Sequence, residues 1–250
     1  MLPGSIQITG EALSGGEIKD ICDSLKENSV RLLSVRACQL SDRDFGRVCG
    51  GVAECHALAQ LNLNLGVVSN ICRVKQLAEA LTTNRSVQTL FLHGSPLTDA
   101  GLACLNPALS THPSLVSLDL GDCMLGDEGL QLICGMLPPD GAKSGLKELT
   151  LSANPAITSK GWARLAIAVA HSSQLRVLNL DYNPLGYQSL HIPLVLHHTL
   201  QANGNTRNTC THSDSQTGPI TGKTQTTHST TDTDRQRTNH RGDTDHALQD

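Results

Sequence analysis

A leucine-based motif recurs six times at nearly constant spacing and restricts the possible folds more than any other feature. Six segments fit an LxxLxL frame, beginning at residues 30, 58, 87, 115, 146 and 175, so successive copies lie 28, 29, 28, 31 and 29 residues apart. A degenerate earlier copy places Ile6 and Ile8 in the same frame. A fixed period of this length is typical of repeat architectures, in which each unit is one small supersecondary element.

Each repeat predicts a short strand, a turn and a helix. The last apolar positions of the frame alternate, as the inward-facing residues of a strand do. An amphipathic helical stretch follows, and Asp99, Asp127 or Ser159 near its start suits N-capping in three repeats. The turn between them carries a side chain that we expect to satisfy buried backbone groups, at Cys38, Ser95, Cys123, Asn154 and Asn183, with Gly66 in the remaining repeat.

Stacking such units produces a curved solenoid, because one repeat cannot bury its own inner face. The longest spacing is explained by a loop insertion at Pro138–Gly145, between the fifth helix and the sixth strand of the full frame. We expect parallel strands near residues 33–35, 61–63, 90–92, 118–120, 149–151 and 178–180.

The frame resembles the ribonuclease-inhibitor-type leucine-rich repeat, which is also found in NOD-like receptors and in Ran GTPase-activating proteins. The resemblance covers about residues 1–186. It implies an α/β fold, a right-handed horseshoe with parallel strands on the concave face and helices on the convex face. The same scaffold serves many partners, so the resemblance alone implies little about function.

The repeat pattern predicts two regions. Residues 1–200 form a repeat domain of six repeats and a partial seventh, irregular after residue 186, where Pro193 interrupts the expected helix. Residues 201–250 contain 13 threonines and one leucine, Leu248, so they cannot bury enough apolar surface to fold. We expect them to be a disordered low-complexity tail.

Composition excludes several function classes. The net charge is −4 and no long basic run occurs, which argues against a nucleic-acid partner. No apolar stretch approaches the roughly 20 residues needed to cross a bilayer, so we expect no membrane contact. The nine cysteines show no C-x-x-C spacing, so we expect no metal and no cofactor. The first residues show no secretory signal, and together these features favour a cytoplasmic monomer.

Two local sequence features have structural interpretations. Cys22, Cys49 and Cys134 occupy a helix slot that holds leucine in other repeats, so we expect them to be core residues. Asn84, Arg85 and Ser86 form a glycosylation sequon, which we expect to be unused.

The concave face is the candidate binding surface, because residues that alternate with the strand leucines point into it. Most residues of this face are polar, and Phe91 is the exception. We expect this lone aromatic side chain to point to water and to anchor a partner. The first outward column reads Ser34, Asn62, Phe91, Asp119, Thr150 and Asn179, and the second reads Arg36, Asn64, His93, Gly121, Ser152 and Asp181. From these, we select as partner-binding candidates Phe91, His93, Asn62, Asn64, Asp119, Asn179, Asp181 and Arg36.

Three functions are compatible with these features. The first is a non-enzymatic intracellular scaffold that binds a protein through its concave face, since no nucleophile–base pair or phosphate loop is found. The second is a regulator of a small GTPase, which similarity to the Ran-activating branch suggests. The third is an innate-immune sensor-like repeat protein. Acceleration of GTP hydrolysis distinguishes the second from the first.

Overall fold

The computed structural model describes residues 4–184, which lie within the first of two compact units, Met1–Ser213. The seven strands are β1 Gly4–Gln7, β2 Val30–Ser34, β3 Gln60–Asn62, β4 Thr89–Phe91, β5 Ser117–Asp119, β6 Glu148–Thr150 and β7 Val177–Asn179. The six helices are α1 Gly15–Lys26, α2 Asp42–Glu54, α3 Ile71–Thr83, α4 Thr98–Ser110, α5 Asp127–Met136 and α6 Ser159–Ala170. The predicted irregularity after residue 186 and the predicted tail lie outside the described residues.

The strands form one parallel sheet in chain order, β1 to β7. Equivalent leucines face each other in register, as Leu33 with Leu61 and Leu61 with Leu90 do. The predicted leucine-rich repeat fold is therefore confirmed. Most strands begin and end one residue earlier than predicted, because the last apolar residue of each frame lies where the chain already enters the turn. The stretch 138–145 does lie between α5 and β6, as its composition indicated.

The apolar positions of the repeat frame form the core. All eighteen LxxLxL positions, from Val30 to Leu180, are at most 5% exposed. Trp162 on α6 is fully buried as well. Cys22 and Cys49 are buried as expected, but Cys134 is only half-buried, which corrects its assignment as a core residue. It lies near the carboxyl end of α5, the shortest helix, where less neighbouring structure covers it.

The turn after each strand repeats one backbone conformation. The residue before the turn slot has a φ between 48° and 71° in six successive repeats, at Ala37, Leu65, Gly94, Asp122, Ala153 and Tyr182. Only one of the six is glycine, so the surrounding hydrogen bonds hold five L-residues in the left-handed region.

At the turn position held by Cys38, Ser95, Cys123, Asn154 and Asn183, most side chains connect successive repeats. The Cys123 thiol donates to the carbonyl oxygens of Leu92 and Gly121, at 3.2 and 3.3 Å. Asn154 and Asn183 bond backbone groups of their own and the preceding turn. Ser95 differs, because its fully buried hydroxyl has no hydrogen-bond partner in the described part of the chain. Its side chain is shorter than that of asparagine, and the expected bond is not made.

Two carboxylates expected to cap their own helices instead hold the next repeat. Asp99 Oδ1 accepts from the Gly126 N–H at 2.7 Å, and Asp127 accepts from the Thr158 N–H at 2.8 Å and hydroxyl at 2.6 Å. Both lie in the first turn of a helix, where a negative charge is favourable. The predicted caps were wrong: α4 and α5 have no side-chain hydrogen bond at their N-caps, and both carboxylates instead bond groups at the start of the next helix.

Arg73 on α3 is a buried charged residue that the sequence did not indicate. Its Nε donates to Asp42 at 2.6 Å, and its Nη1 and Nη2 donate to the carbonyl oxygens of Val67 and Leu40 at 2.7 and 2.5 Å. The guanidinium also lies 5.4 Å from the centroid of the Phe45 ring. Arg73 thereby joins the second and third repeats.

The sequon asparagine is also structural. Asn84 is 1% exposed, and its Nδ2 donates to the carbonyl oxygens of Val52 and Cys55 at 2.7 and 2.9 Å. Glycosylation requires this nitrogen to be accessible. The folded chain therefore does not present it to an enzyme.

The cysteines differ widely in burial, so we expect their thiols to react at very different rates. Burial raises the pKa of Cys49 and Cys123 to about 12, whereas Cys72 on α3 is exposed. With a maleimide at mildly alkaline pH, we expect Cys72 to be labelled first and the two buried thiols at least about a hundredfold more slowly. Peptide mass spectrometry after a time course measures each rate. Rapid labelling of Cys49 or Cys123 while the circular dichroism spectrum stays native would contradict this packing.

Candidate functional site

The residues that alternate with the strand leucines form two columns across the sheet, as the sequence predicted. Register pairs Asn62 with Phe91 and Phe91 with Asp119 in the first column. Backbone bonds continue the second column past the strand ends, since Leu65 N donates to His93 O at 2.7 Å and Gly94 N to Gly121 O at 3.0 Å. The candidate residues therefore form two adjacent rows across the middle of the concave face.

Phe91 is half-buried, which corrects the expectation that it points to water. Its neighbours in register, Asn62 and Asp119, lie one strand spacing away on each side and shield part of the ring. Ser34 and Ser152 are also less than a tenth exposed. The concave face is thus more enclosed than its polar sequence indicated, and Phe91 stays partly accessible.

Three of the candidate polar residues also stabilise their own strand ends. The side-chain oxygens of Asn62, Asp119 and Asn179 accept from the backbone N–H two residues later, at 3.1, 2.9 and 2.9 Å. Asn64 is half-buried and its Oδ1 has no hydrogen-bond partner within residues 4–184. Arg36 is exposed at the amino-terminal part of the second column. These side chains leave part of their hydrogen-bonding capacity for a partner.

A histidine, an aspartate and a serine converge around Gly121. His93 Nδ1 lies 3.8 Å from Asp119 Oδ1, and a Cβ added at Gly121 would overlap His93 Nδ1 and lie 2.6 Å from Ser152 Oγ. The 3.8 Å between His93 Nδ1 and Asp119 Oδ1 is too long for a hydrogen bond. A catalytic relay instead uses the two opposite nitrogens of the ring, with the nucleophile hydrogen-bonded to one of them. The geometry around Gly121 therefore differs from that of such a relay.

Sequence reasoning placed Gly121 and Ser152 in a column but did not select them as site residues. A glycine inside a strand column signals close approach of neighbouring groups, and this signal was available. The burial of Ser152 depends on how His93 closes over the glycine, which the sequence does not show.

Other kinds of site are not found among the described residues. Residues 4–184 contain no cluster of three or more His, Cys, Asp or Glu side chains that could hold a metal ion. In the same part of the chain, no helix is long and apolar enough to cross a membrane. An open depression of about 410 Å³ lies at the amino-terminal ends of β1–β4, away from Gly121. Its lining residues are Gly4, Ser5, Arg31, Leu32, Ala59, Gln60, Gln88 and Thr89.

Comparison with known proteins supports the same repeat assignment. A family model described as Leucine Rich repeat matches residues 111–134. Leucine-rich repeat-containing protein 73 of Homo sapiens is 77% identical over 186 residues, which cover 74% of this chain. This chain is a leucine-rich repeat protein. The resemblance predicted from the LxxLxL frame is confirmed, and the leucine-rich repeat chain spans 59% of the length of that human relative.

More distant similarities extend the comparison. The leucine-rich repeat chain is 31% identical over 187 residues to NACHT, LRR and PYD domains-containing protein 14 of Mus musculus, covering 74% of this chain and 18% of that protein. A solved structure titled Leiomodin-1 Actin-Binding Site 2 superposes with a TM-score of 0.53 at 15% identity, covering 77% of this chain and 91% of the other. The second similarity shows the fold alone.

Proposed function

We propose that this leucine-rich repeat protein is a non-enzymatic cytoplasmic scaffold that binds a protein partner through its concave face. The observation that carries the proposal is Phe91, a partly accessible aromatic at the middle of the face, whose neighbours in register, Asn62 and Asp119, are polar. An apolar anchor ringed by hydrogen-bonding groups is typical of interface hot spots. A curved repeat surface also offers a partner an extended contact area.

The cysteines support the cytoplasmic part of the proposal. All eight cysteines in the described region are free, and five of them are buried. An oxidising compartment favours disulfides in repeat domains of this kind, whereas a reducing one preserves free thiols. The buried sequon at Asn84 is compatible with the same compartment.

Site-specific photo-crosslinking tests the proposed face. Benzoylphenylalanine replaces Phe91 in one variant and Ile167 in another, because Ile167 on the convex α6 is 65% exposed and serves as the matched control. We expect a discrete crosslinked protein from position 91 and not from position 167 in cell extract. A crosslink confined to position 167 would contradict the proposal. The GTPase-regulator alternative stays a prediction, and an assay of GTP hydrolysis distinguishes it.

A further inference from the structure

The polar groups around Gly121 form a compact set, here named the Gly121 cluster: Asp119, Gly121, Ser152 and His93. Gly121 is buried and lacks a side chain, so the His93 ring and the Ser152 hydroxyl close over its backbone from both neighbouring repeats. Asp119 Oδ1 accepts the Gly121 N–H at 2.9 Å, which fixes the carboxylate beside them. The cluster is therefore held in place by the sheet itself.

Two acceptors in the cluster lack partners. Ser152 is 7% exposed, yet its hydroxyl makes no hydrogen bond within the described residues. The second oxygen of Asp119 likewise makes none in that part of the chain. The Asp119 side chain is 21% exposed, so its second oxygen stays open to a ligand, and a charge-assisted hydrogen bond to it is stronger than one between neutral groups. A carboxylate oxygen only accepts and the serine hydroxyl can accept as well as donate, so a ligand with several N–H donors can bond to both.

The carboxylates near the Gly121 cluster give this part of the concave face a negative charge. In the outward positions of β5–β7 and the turns that continue them, the charged residues are Asp119, Asp122, Glu148 and Asp181. The basic residue of the second column, Arg36, lies three repeats away from Gly121. A cation approaching this part of the concave face meets a complementary potential.

We propose that the Gly121 cluster binds the guanidinium group of an arginine in the partner protein. A planar guanidinium presents several N–H donors, which suit the Asp119 carboxylate and the Ser152 hydroxyl together. Phe91 is the register partner of Asp119 on the neighbouring strand, so its ring is within reach of an arginine side chain bound to that carboxylate. This inference rests on the proposed function, because it names the partner chemistry that the concave face recognises.

Two small probes test the cluster without the natural partner. Acetyl-arginine methylamide carries the guanidinium, and acetyl-citrulline methylamide replaces it with a neutral urea of similar shape. We expect the first to shift the His93 Hε1 resonance of the full chain saturably, and the second to bind at least about tenfold more weakly. Comparison with His93→Gln assigns the resonance.

Matched variants identify the groups that bind. Asp119→Asn should remove the arginine-dependent shift and Ser152→Ala should weaken it several-fold, whereas Asp122→Asn, an exposed turn residue nearby, should leave it unchanged. Equal binding of both probes, a shift that survives Asp119→Asn, or no saturable shift at millimolar arginine probe would each overturn the inference. None of these results affects crosslinking from position 91. Loss of that crosslink with intact arginine binding would instead overturn the proposed function.

Discussion

Asn154→Ala is expected to lower the free energy of unfolding by about 3 kcal/mol, because the fully buried amide satisfies several backbone groups at once. Its Nδ2 reaches three carbonyl oxygens at 2.9–3.2 Å, and its Oδ1 accepts from two N–H groups at 3.0 and 3.2 Å. The partners are Leu120, Leu151, Ser152, Cys123 and Leu125. Truncation removes the partner of the Leu120 carbonyl and of the Cys123 and Leu125 N–H groups, whereas the carbonyls of Leu151 and Ser152 keep bonds from the Asn183 amide and the Asp122 N–H.

Chemical denaturation measures this loss, and Asn106→Ala is its matched control. Asn106 lies inside α4 with a buried Oδ1 that has no partner among residues 4–184. The same substitution there should leave stability unchanged or raise it slightly, because alanine is the better helix former. Asn154→Cys should recover part of the loss, since Cys123 fills the equivalent slot with two thiol hydrogen bonds. Equal effects at positions 154 and 106 would show that the turn amide does not connect the repeats.

Arg73→Met is expected to lower the free energy of unfolding by about 3 kcal/mol, mainly because two inward carbonyl oxygens, of Leu40 and Val67, lose their donor. Arg47→Met is the control. Arg47 makes an exposed ion pair with Asp44, and its loss should cost less than about 0.5 kcal/mol. Urea unfolding of both variants provides the comparison, and a small effect at position 73 would contradict its role in joining repeats.

The loss of stability in Arg73→Met should also depend on pH, in a direction that the pKa of Asp42 predicts. The hydrogen bond from Arg73 holds the pKa of Asp42 below its usual value of 3.8. A lowered folded-state pKa stabilises the protein above the unfolded value, and this stabilisation is lost as the pH falls through the folded value. The stability difference between wild type and Arg73→Met should therefore narrow when the pH is lowered from 7 into the acid range. A constant difference would argue against the ion pair.

Local periodicity was sufficient to predict the sheet. The frame around Leu33, Leu61 and Leu90 predicted their shared register, because a side-chain period of two and a constant repeat length leave few alternatives. The same argument predicts from the sequence that Phe91 and Asp119 are neighbours on adjacent strands, as they are in the sheet. Contacts within one repeat and between equivalent positions are thus readable from the sequence.

Contacts between non-equivalent positions were not predictable. Arg73 reaches residues about one repeat earlier through a long side chain, and no spacing in the sequence indicates those partners. Asp99 and Asp127 were expected to cap their own helices, yet they accept hydrogen bonds from the start of the next helix. The burial of Ser152 follows from the missing side chain at Gly121 and the way His93 fills that space. Each of these contacts depends on the position of one repeat relative to the next, which the sequence does not show.

The affinity of Phe91→Ala for the protein crosslinked from position 91, measured by titration calorimetry beside its melting temperature, tests the central claim most directly. Because the ring is half-buried, we expect a loss of stability of about 1 kcal/mol. Binding should weaken by about 1–3 kcal/mol, as at an interface anchor, and Ile167→Ala should leave affinity unchanged. Wild-type affinity with a lowered melting temperature would show that Phe91 only packs the concave face and does not bind a partner.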